Sequence, residues 1–225
     1  MTRYTSILFD LDGTLSRSAP GITRSLQYGL RRIGIDEPDL SRLTRFIGPP
    51  LNVELRAAYG LSAADIERVI SGFRERYEAK GLYECELYPG VGDLVRDCAA
   101  AGLALAVASS KPEPHVKTLM AHFGLTGCFR VIKGSRIEDE LDNKTGADNK
   151  EKIVAGTLAL LRQSGADGPA VMIGDTRYDI TGARRNGIDS VAVTYGYGTA
   201  EELAAAEPTY TAADAAALRR ILLPG

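Results

Sequence analysis

Ile7-Leu8-Phe9-Asp10-Leu11-Asp12-Gly13-Thr14-Leu15 decides the fold: a short apolar run that stops on two aspartates and a glycine turn. Tyr4 to Asp10 reads as a strand with both faces buried, because its apolar residues follow one another instead of alternating with polar ones. Strands of that kind belong to parallel sheets covered by helices on either side. Working outward, the same pattern returns. Leu103–Ala108 runs into Ser109-Ser110-Lys111-Pro112, Ala170–Ile173 into Gly174-Asp175, and Ser190–Thr194 into Tyr195-Gly196-Tyr197-Gly198. A weaker example spans Phe129–Ile132. Helical patterns separate them, and that alternation predicts an open α/β domain.

Residues 16–88 break the rhythm. They contain no convincing strand. Ile22, Leu26, Leu30 and Ile33 recur at helical spacing, as do Ile66, Val69, Ile70, Phe73 and Tyr77 behind Ser62, a candidate N-cap. Gly48-Pro49-Pro50 interrupts the segment. The expected organisation is a catalytic core of residues 1–15 and 89–225 carrying an inserted all-helical cap of residues 16–88. Hinges are expected near Ser16–Pro20 and Glu84–Pro89.

The 225 residues are 44% hydrophobic and 25% charged, ordinary for a globular protein, with a formal net charge of −2. No global positive field attracts nucleic acid or an anionic membrane. Three cysteines, Cys85, Cys98 and Cys128, form no C-x-x-C pair and point to neither a disulfide framework nor a zinc cluster. Reduced thiols, the absence of a signal-peptide pattern in MTRYTSILFD and the lack of a bilayer-length apolar run together predict a cytoplasmic protein.

Ligands of open parallel sheets bind beyond the carboxyl ends of the strands. Asp10, Asp12, Ser109, Ser110, Asp175 and Asp179 all lie there, and Lys150 opens the helix before the Ala170 strand. Carboxylates crowded together repel one another and raise each other's pKa. A hard divalent cation such as Mg²⁺ removes that conflict and bridges to phosphate. Carboxylates, a hydroxyl and a lysine in one pocket therefore make a site for a phosphoryl group, with an anionic nucleophile made approachable by the neutralising charges. The bland alternatives are an Asp-Gly turn at Asp10–Gly13, first-turn helix charges at Asp175 and Asp179, and a turn serine at Ser109.

These four pieces in chain order, ILFDLDGTL, VASSKP, Lys150 and IGDTRYDI, resemble the motifs of the haloacid dehalogenase superfamily, in its phosphatase branch with a helical cap. FIGPPL, LYPGV, SSKPEPHVKTLMAHFGL and VTYGYGT are most similar to its phosphoglycolate phosphatase and 5′-nucleotidase-like group. The resemblance implies a Rossmann-like core with the first strand central. It implies that Asp10 attacks phosphorus to form an aspartyl-phosphate, and that Asp12 first protonates the leaving alcohol and then activates water. It implies Mg²⁺ held by Asp10, the Asp12 backbone carbonyl and Asp175, with Asp179 assisting. It further implies that Ser109 binds the phosphoryl group, helped by backbone N–H groups near Leu11, Asp12 and Ser110, and that Lys150 neutralises it. A dehalogenase of the superfamily lacks an aspartate at the Asp12 position. Lys144 and Lys152 remain alternatives to Lys150, which the following Ile153-Val154 pair favours, with Lys144 next.

Arg42, Arg45 and the Gly48-Pro49-Pro50 turn are candidates for substrate contact, the alternative being ordinary solvated arginines. Lys111 and Pro112 either shape the pocket edge or start a helix. His115 and His122 read as surface or structural residues. Residues 133–149 read as a solvated loop. The expected partner is a small phosphorylated metabolite, with no nucleic acid and no membrane, for a monomer or homodimer. A phosphomutase like β-phosphoglucomutase and a non-catalytic phosphate-binding module are the alternatives to a phosphomonoesterase.

Overall fold

A computed structural model describes residues 3–136 and 146–223. Among these, six strands form one sheet: β1 (Ser6–Phe9), β4 (Ala104–Pro112), β5 (Phe129–Ser135), β6 (Ala170–Gly174), β7 (Asp189–Val193) and β8 (Tyr210–Ala212). Their order is β5-β4-β1-β6-β7-β8 and every pairing is parallel. β1 lies inside the sheet between β4 and β6, with Phe9 opposite both Val107 and Ile173.

The pleat assigns the apolar runs to two cores. Ile7, Phe9, Leu105, Val107, Val171 and Ile173 face one side, where they meet α4 (Val91–Ala100), α5 (Glu113–His122) and α9 (Ala215–Leu222). Leu8, Ala106 and Met172 face the other and pack on Ile153, Val154, Leu158 and Leu161 of α6 (Gly146–Gln163). That is why the strands read as continuous hydrophobic runs. α7 (Arg177–Arg185) and α8 (Ala200–Ala205) complete the helical layer around β6 and β7.

Between β1 and β4 the chain forms α1 (Ala19–Arg31), a 3-10 turn (Leu40–Phe46), α2 (Leu51–Tyr59) and α3 (Ala63–Ala79). These helices enclose their own core, built on Leu26, Leu30, Leu43, Phe46, Leu55, Ile66, Val69 and Ile70. Ser62 caps α3, its side chain accepting from the Asp65 N–H at 3.1 Å. α1 and α3 approach closely: a Cβ on Gly29 would lie 2.3 Å from the Val69 carbonyl oxygen, and one on Gly72 3.0 Å from the Gly29 Cα.

The structure departs from the sequence reading in three places. Residues 16–88 are not strandless: β2 (Ser16–Arg17) and β3 (Glu86–Leu87) pair antiparallel where the chain leaves and re-enters the sheet domain. Lys133–Ser135 belongs to β5 and not to a loop, because Lys133 and Ser135 pair with Ala108 and Pro112. α6 begins at Gly146, so Lys150 lies one turn inside the helix instead of opening it.

Candidate active site

β1 ends at Phe9, and the Asp10 N–H donates to the Ile173 carbonyl at 2.9 Å. Sheet pairing therefore fixes the backbone of Asp10 against β6, whose own continuation is Asp175. On the other side β4 is irregular. It takes four residue steps from Ala108 to Pro112 while β5 takes two from Lys133 to Ser135. The extra backbone bulges Ser109, Ser110 and Lys111 out of the ladder, a usual way for a sheet to re-aim side chains at a site.

Lys150 is 1% exposed and reaches across from α6. Its Nζ lies 3.0 Å from Asp10 Oδ1 and 2.8 Å from Asp179 Oδ1, and donates to the Ala108 carbonyl at 2.9 Å. Burial opposes its charge, but the Asp10 and Asp179 carboxylates more than offset that and hold the ammonium above its ordinary pKa. Lys144 lies outside the described residues.

Asp179 serves two ends at once. Oδ2 accepts from the Thr176 N–H at 3.0 Å and from the Thr176 hydroxyl at 2.7 Å, closing the first turn of α7, while Oδ1 faces Lys150. The helix-start reading and the site reading of this residue are both satisfied, by different oxygens. Asp175 is fully buried; its Oδ2 accepts from the Tyr197 N–H at 2.7 Å and its Oδ1 from the Thr14 hydroxyl at 3.3 Å.

Carboxylate oxygens of Asp10, Asp175 and Asp179 lie within 4.8 Å of one another. Burial pushes the Asp10 carboxyl up to about 6 even against Lys150, with Asp179 adding to the rise. Burial, then Asp179 and Asp10, push Asp175 well above the carboxylate range. One ammonium does not balance three buried carboxylates, and hard oxygen donors in this arrangement fit a divalent cation. The glycines of the motifs leave room for the cluster. Gly13 has φ +80°, and a Cβ there would sit 2.0 Å from Asp175 Oδ2; a Cβ on Gly174 would sit 2.1 Å from Asp179 Cγ.

The Asp12 carboxylate is not part of this cluster. Its Oδ2 lies 2.6 Å from Lys111 Nζ, and its buried Oδ1 has no hydrogen-bond partner among the described residues. Of the expected metal set, the structure brings together the side chains of Asp10, Asp175 and Asp179 and turns that of Asp12 toward the insert. Lys111 is almost fully buried. Burial works against its charge, but Asp12 and the Tyr77 phenol more than compensate, and its Nζ lies 5.0 Å from the centre of the Tyr77 ring.

A chamber of about 160 Å³ lies over these groups. Its floor includes Asp10, Asp12, Ser109, Ser110, Lys111 and Lys150, and its roof comes from the insert: Phe46–Leu51, Ile70, Phe73, Arg74 and Tyr77. Ser109 is buried, with its Oγ accepting from the Lys111 N–H at 3.3 Å. The Leu11 N–H donates to Asp10 Oδ1 at 2.7 Å.

Arg45 does not line this chamber. It is exposed, pairs with Glu54 at 3.3 Å and covers the Phe46 ring, while Arg42 pairs with Glu37 at 3.3 Å. The arginine of the roof is Arg74, and His115 of α5 also lines the chamber, edge-on to Tyr77. Neither stood out in sequence. Their one signal is adjacency: Arg74 follows Phe73 in the α3 apolar stripe, whose Ile70, Phe73 and Tyr77 double as core and as chamber wall.

A family model described as haloacid dehalogenase-like hydrolase matches residues 7–193. The chain is 42% identical over 221 residues to a Pseudomonas aeruginosa protein named 5′-nucleotidase, covering 98% of this chain and 96% of that one. It is 39% identical over 195 residues to the tyrosine-protein kinase PtkA of Mycobacterium tuberculosis, covering 87% of this chain and 64% of the kinase. Among solved structures, a haloacid dehalogenase-like family hydrolase from Streptococcus pneumoniae is 30% identical and superposes with a TM-score of 0.83, over 97% of this chain and 98% of that one.

Proposed function

The chain belongs to the haloacid dehalogenase-like hydrolase family, as a phosphoric monoester hydrolase, and on that premise we propose that it is a Mg²⁺-dependent phosphatase of small organic phosphates working through Asp10. The observation that carries this reading is Asp10 itself: a buried carboxylate at the sheet's carboxyl edge, 3.0 Å from Lys150 and within the acidic cluster.

Asp10 attacks phosphorus in line, the ester oxygen departs, and an aspartyl-phosphate remains. Asp12, at the edge of the chamber, gives a proton to the departing alkoxide and then takes one from the water that hydrolyses the intermediate. Lys150 balances charge as the phosphoryl group arrives, and Ser109 and the neighbouring N–H groups hold its oxygens. Asp10, Asp175 and Asp179 would hold Mg²⁺, with the Asp12 backbone carbonyl; when bound, the ion neutralises the carboxylates and the phosphoryl oxygens. The helical insert acts as a cap that excludes water and selects the leaving group.

Phosphoglycolate and nucleoside 5′-monophosphates are the substrates within reach of this reading. The apolar roof of Phe46, Ile47, Ile70 and Phe73 supports a nucleoside, and so does the name of the Pseudomonas relative, while Arg74 in the same roof suits an anionic group of the substrate. The free cysteines Cys85, Cys98 and Cys128 support a cytoplasmic setting, and no described helix is long and apolar enough to cross a membrane.

Phosphate release from a panel of phosphomonoesters, with Mg²⁺ and with chelator, tests the proposal beside Asp10→Asn. Release that needs Mg²⁺, is fastest on nucleoside monophosphates and is lost in Asp10→Asn is expected. Equal release by the variant would remove Asp10 as nucleophile. Isomerised sugar phosphate in place of inorganic phosphate would make the protein a mutase.

A further inference from the structure

Tyr195-Gly196-Tyr197-Gly198 follows β7, and none of the steps above uses it. It is nevertheless pressed against the acidic cluster. A Cβ on Gly196 would lie 2.2 Å from Asp175 Cβ, and one on Gly198 2.1 Å from the Asp175 carbonyl oxygen. Between these glycines the Tyr197 N–H donates to Asp175 Oδ2 at 2.7 Å.

The side chains of the same loop point the other way, to the crossings between core and insert. The Tyr197 hydroxyl oxygen accepts from the N–H of Ala19, the first residue of α1, at 2.8 Å. The Tyr195 hydroxyl donates to the Thr14 carbonyl at 3.0 Å. The Tyr88 ring, on the returning crossing, lies 4.5 Å from the Tyr195 ring, and the Tyr88 N–H donates to the Leu15 carbonyl at 3.0 Å. One four-residue loop thus touches a buried carboxylate of the acidic cluster, the outgoing crossing and the returning crossing.

We infer that this loop ties the seating of the helical insert to the orientation of Asp175, with Tyr197 as the positioning residue. The inference rests on reading Asp10, Asp175 and Asp179 as the metal site. A rotation of the insert about its two crossings moves the Ala19 N–H. The Tyr197 phenol follows it, and the Tyr197 N–H shares a residue with that phenol. Gly196 and Gly198 leave no slack between loop and Asp175, so displacement at one end reaches the other. Coupling of this kind is reciprocal: if seating orients Asp175 for a cation, the cation favours seating by the same factor.

Tyr197→Phe keeps the ring and the backbone N–H and removes the hydroxyl's links to Ala19 and Ser18 on the outgoing crossing and to Tyr88 on the returning one; Tyr195→Phe removes the link to Thr14. Two measurements on the full chain read the coupling without turnover: binding of Mn²⁺ followed by electron paramagnetic resonance, and hydrogen exchange of the amides of residues 84–88 with Mg²⁺ and with chelator. These amides lie on the returning crossing, whose Tyr88 hydroxyl also meets that of Tyr197, so the readout is the change that Mg²⁺ makes in each protein and not the exchange rate itself. In the unmodified protein Mg²⁺ is expected to slow their exchange. In Tyr197→Phe that slowing is expected to disappear and Mn²⁺ to bind about five-fold more weakly or worse, the low end of coupling between sites. Tyr195→Phe is expected to move both readouts in the same direction. Unchanged Mn²⁺ binding and unchanged Mg²⁺-dependent protection in Tyr197→Phe overturn the inference. Weaker Mn²⁺ binding with the protection intact also overturns it, since Tyr197 would then be a local support for Asp175. Failure of the unmodified protein to bind Mn²⁺ overturns the metal reading itself.

Discussion

At Lys150 a single buried ammonium answers two buried carboxylates, and that imbalance has a measurable consequence. Replacing it by Met leaves Asp10 and Asp179 buried without their counter-charge. Removing one partner of a buried pair costs about 3–5 kcal/mol, because the other charge stays uncompensated. Lys150→Met is therefore expected to lose stability of that order in chelator, and to recover part of it in Mg²⁺, which supplies the missing charge. Urea denaturation under both conditions reads the two values. Equal losses in chelator and in Mg²⁺ would mean that the cation does not share these carboxylates. Lys111 differs in kind: its partners are Asp12 and Tyr77, one from each side of the chamber, so it belongs to the closed arrangement of core and insert and not to the acidic cluster.

The crossing between insert and core is an element with its own electrostatics. Glu84 accepts from Arg76 Nη1 and Nη2 at 2.9 and 3.0 Å, lies 3.4 Å from Arg24, and its backbone carbonyl accepts from the Gly21 N–H at 3.1 Å. It joins α1, α3 and the returning chain. The hydrogen bonds from Arg76 hold its carboxyl below the ordinary value of 4.5, against some burial. A lowered folded-state pKa stabilises above the ordinary value, and the contribution is lost as pH falls below 4.5 through the folded-state value. Glu84→Gln is expected to cost about 1–2 kcal/mol near neutrality, at the low end for charge-assisted bonds because the pair is partly solvated. The gap between variant and unmodified protein should close in acid; denaturation midpoints at the two pH values decide it. The strands on either side show what sequence can carry at this scale. β1, β4, β6 and β7 were legible because burial on both faces leaves an unbroken apolar run. β2 and β3 are two residues each and β8 three, too short for any period to register. Pairing with a neighbour, and not side-chain pattern, makes them strands.

At the scale of the molecule, the sheet's carboxyl edge collects Asp10, Ser109, Lys150 and Asp175 from across the chain, and the motifs made those four legible. The roof was not. Whether Arg45 or Arg74 faces the chamber depends on how the insert is rotated over the sheet, and the apolar stripe of α3 serves core and chamber alike. The acidic cluster allows a test in which stability and metal binding change in opposite senses. Asp175→Asn keeps an oxygen for the Tyr197 N–H but removes one of three crowded charges, whose burial and mutual repulsion hold Asp175 well above the carboxylate range. In chelator the variant is expected to be at least as stable as the unmodified protein. A cation that binds the folded chain and not the unfolded one stabilises by mass action, about 2.7 kcal/mol at a hundred-fold excess over its Kd. The unmodified protein should show that gain on adding Mg²⁺ and the variant should not, so their order of stability inverts between chelator and Mg²⁺. Thermal denaturation of both proteins under both conditions measures it. A variant that gains as much from Mg²⁺ as the unmodified protein would place the ion elsewhere. A variant less stable in chelator would mean that the Asp175 charge contributes to the fold without the cation.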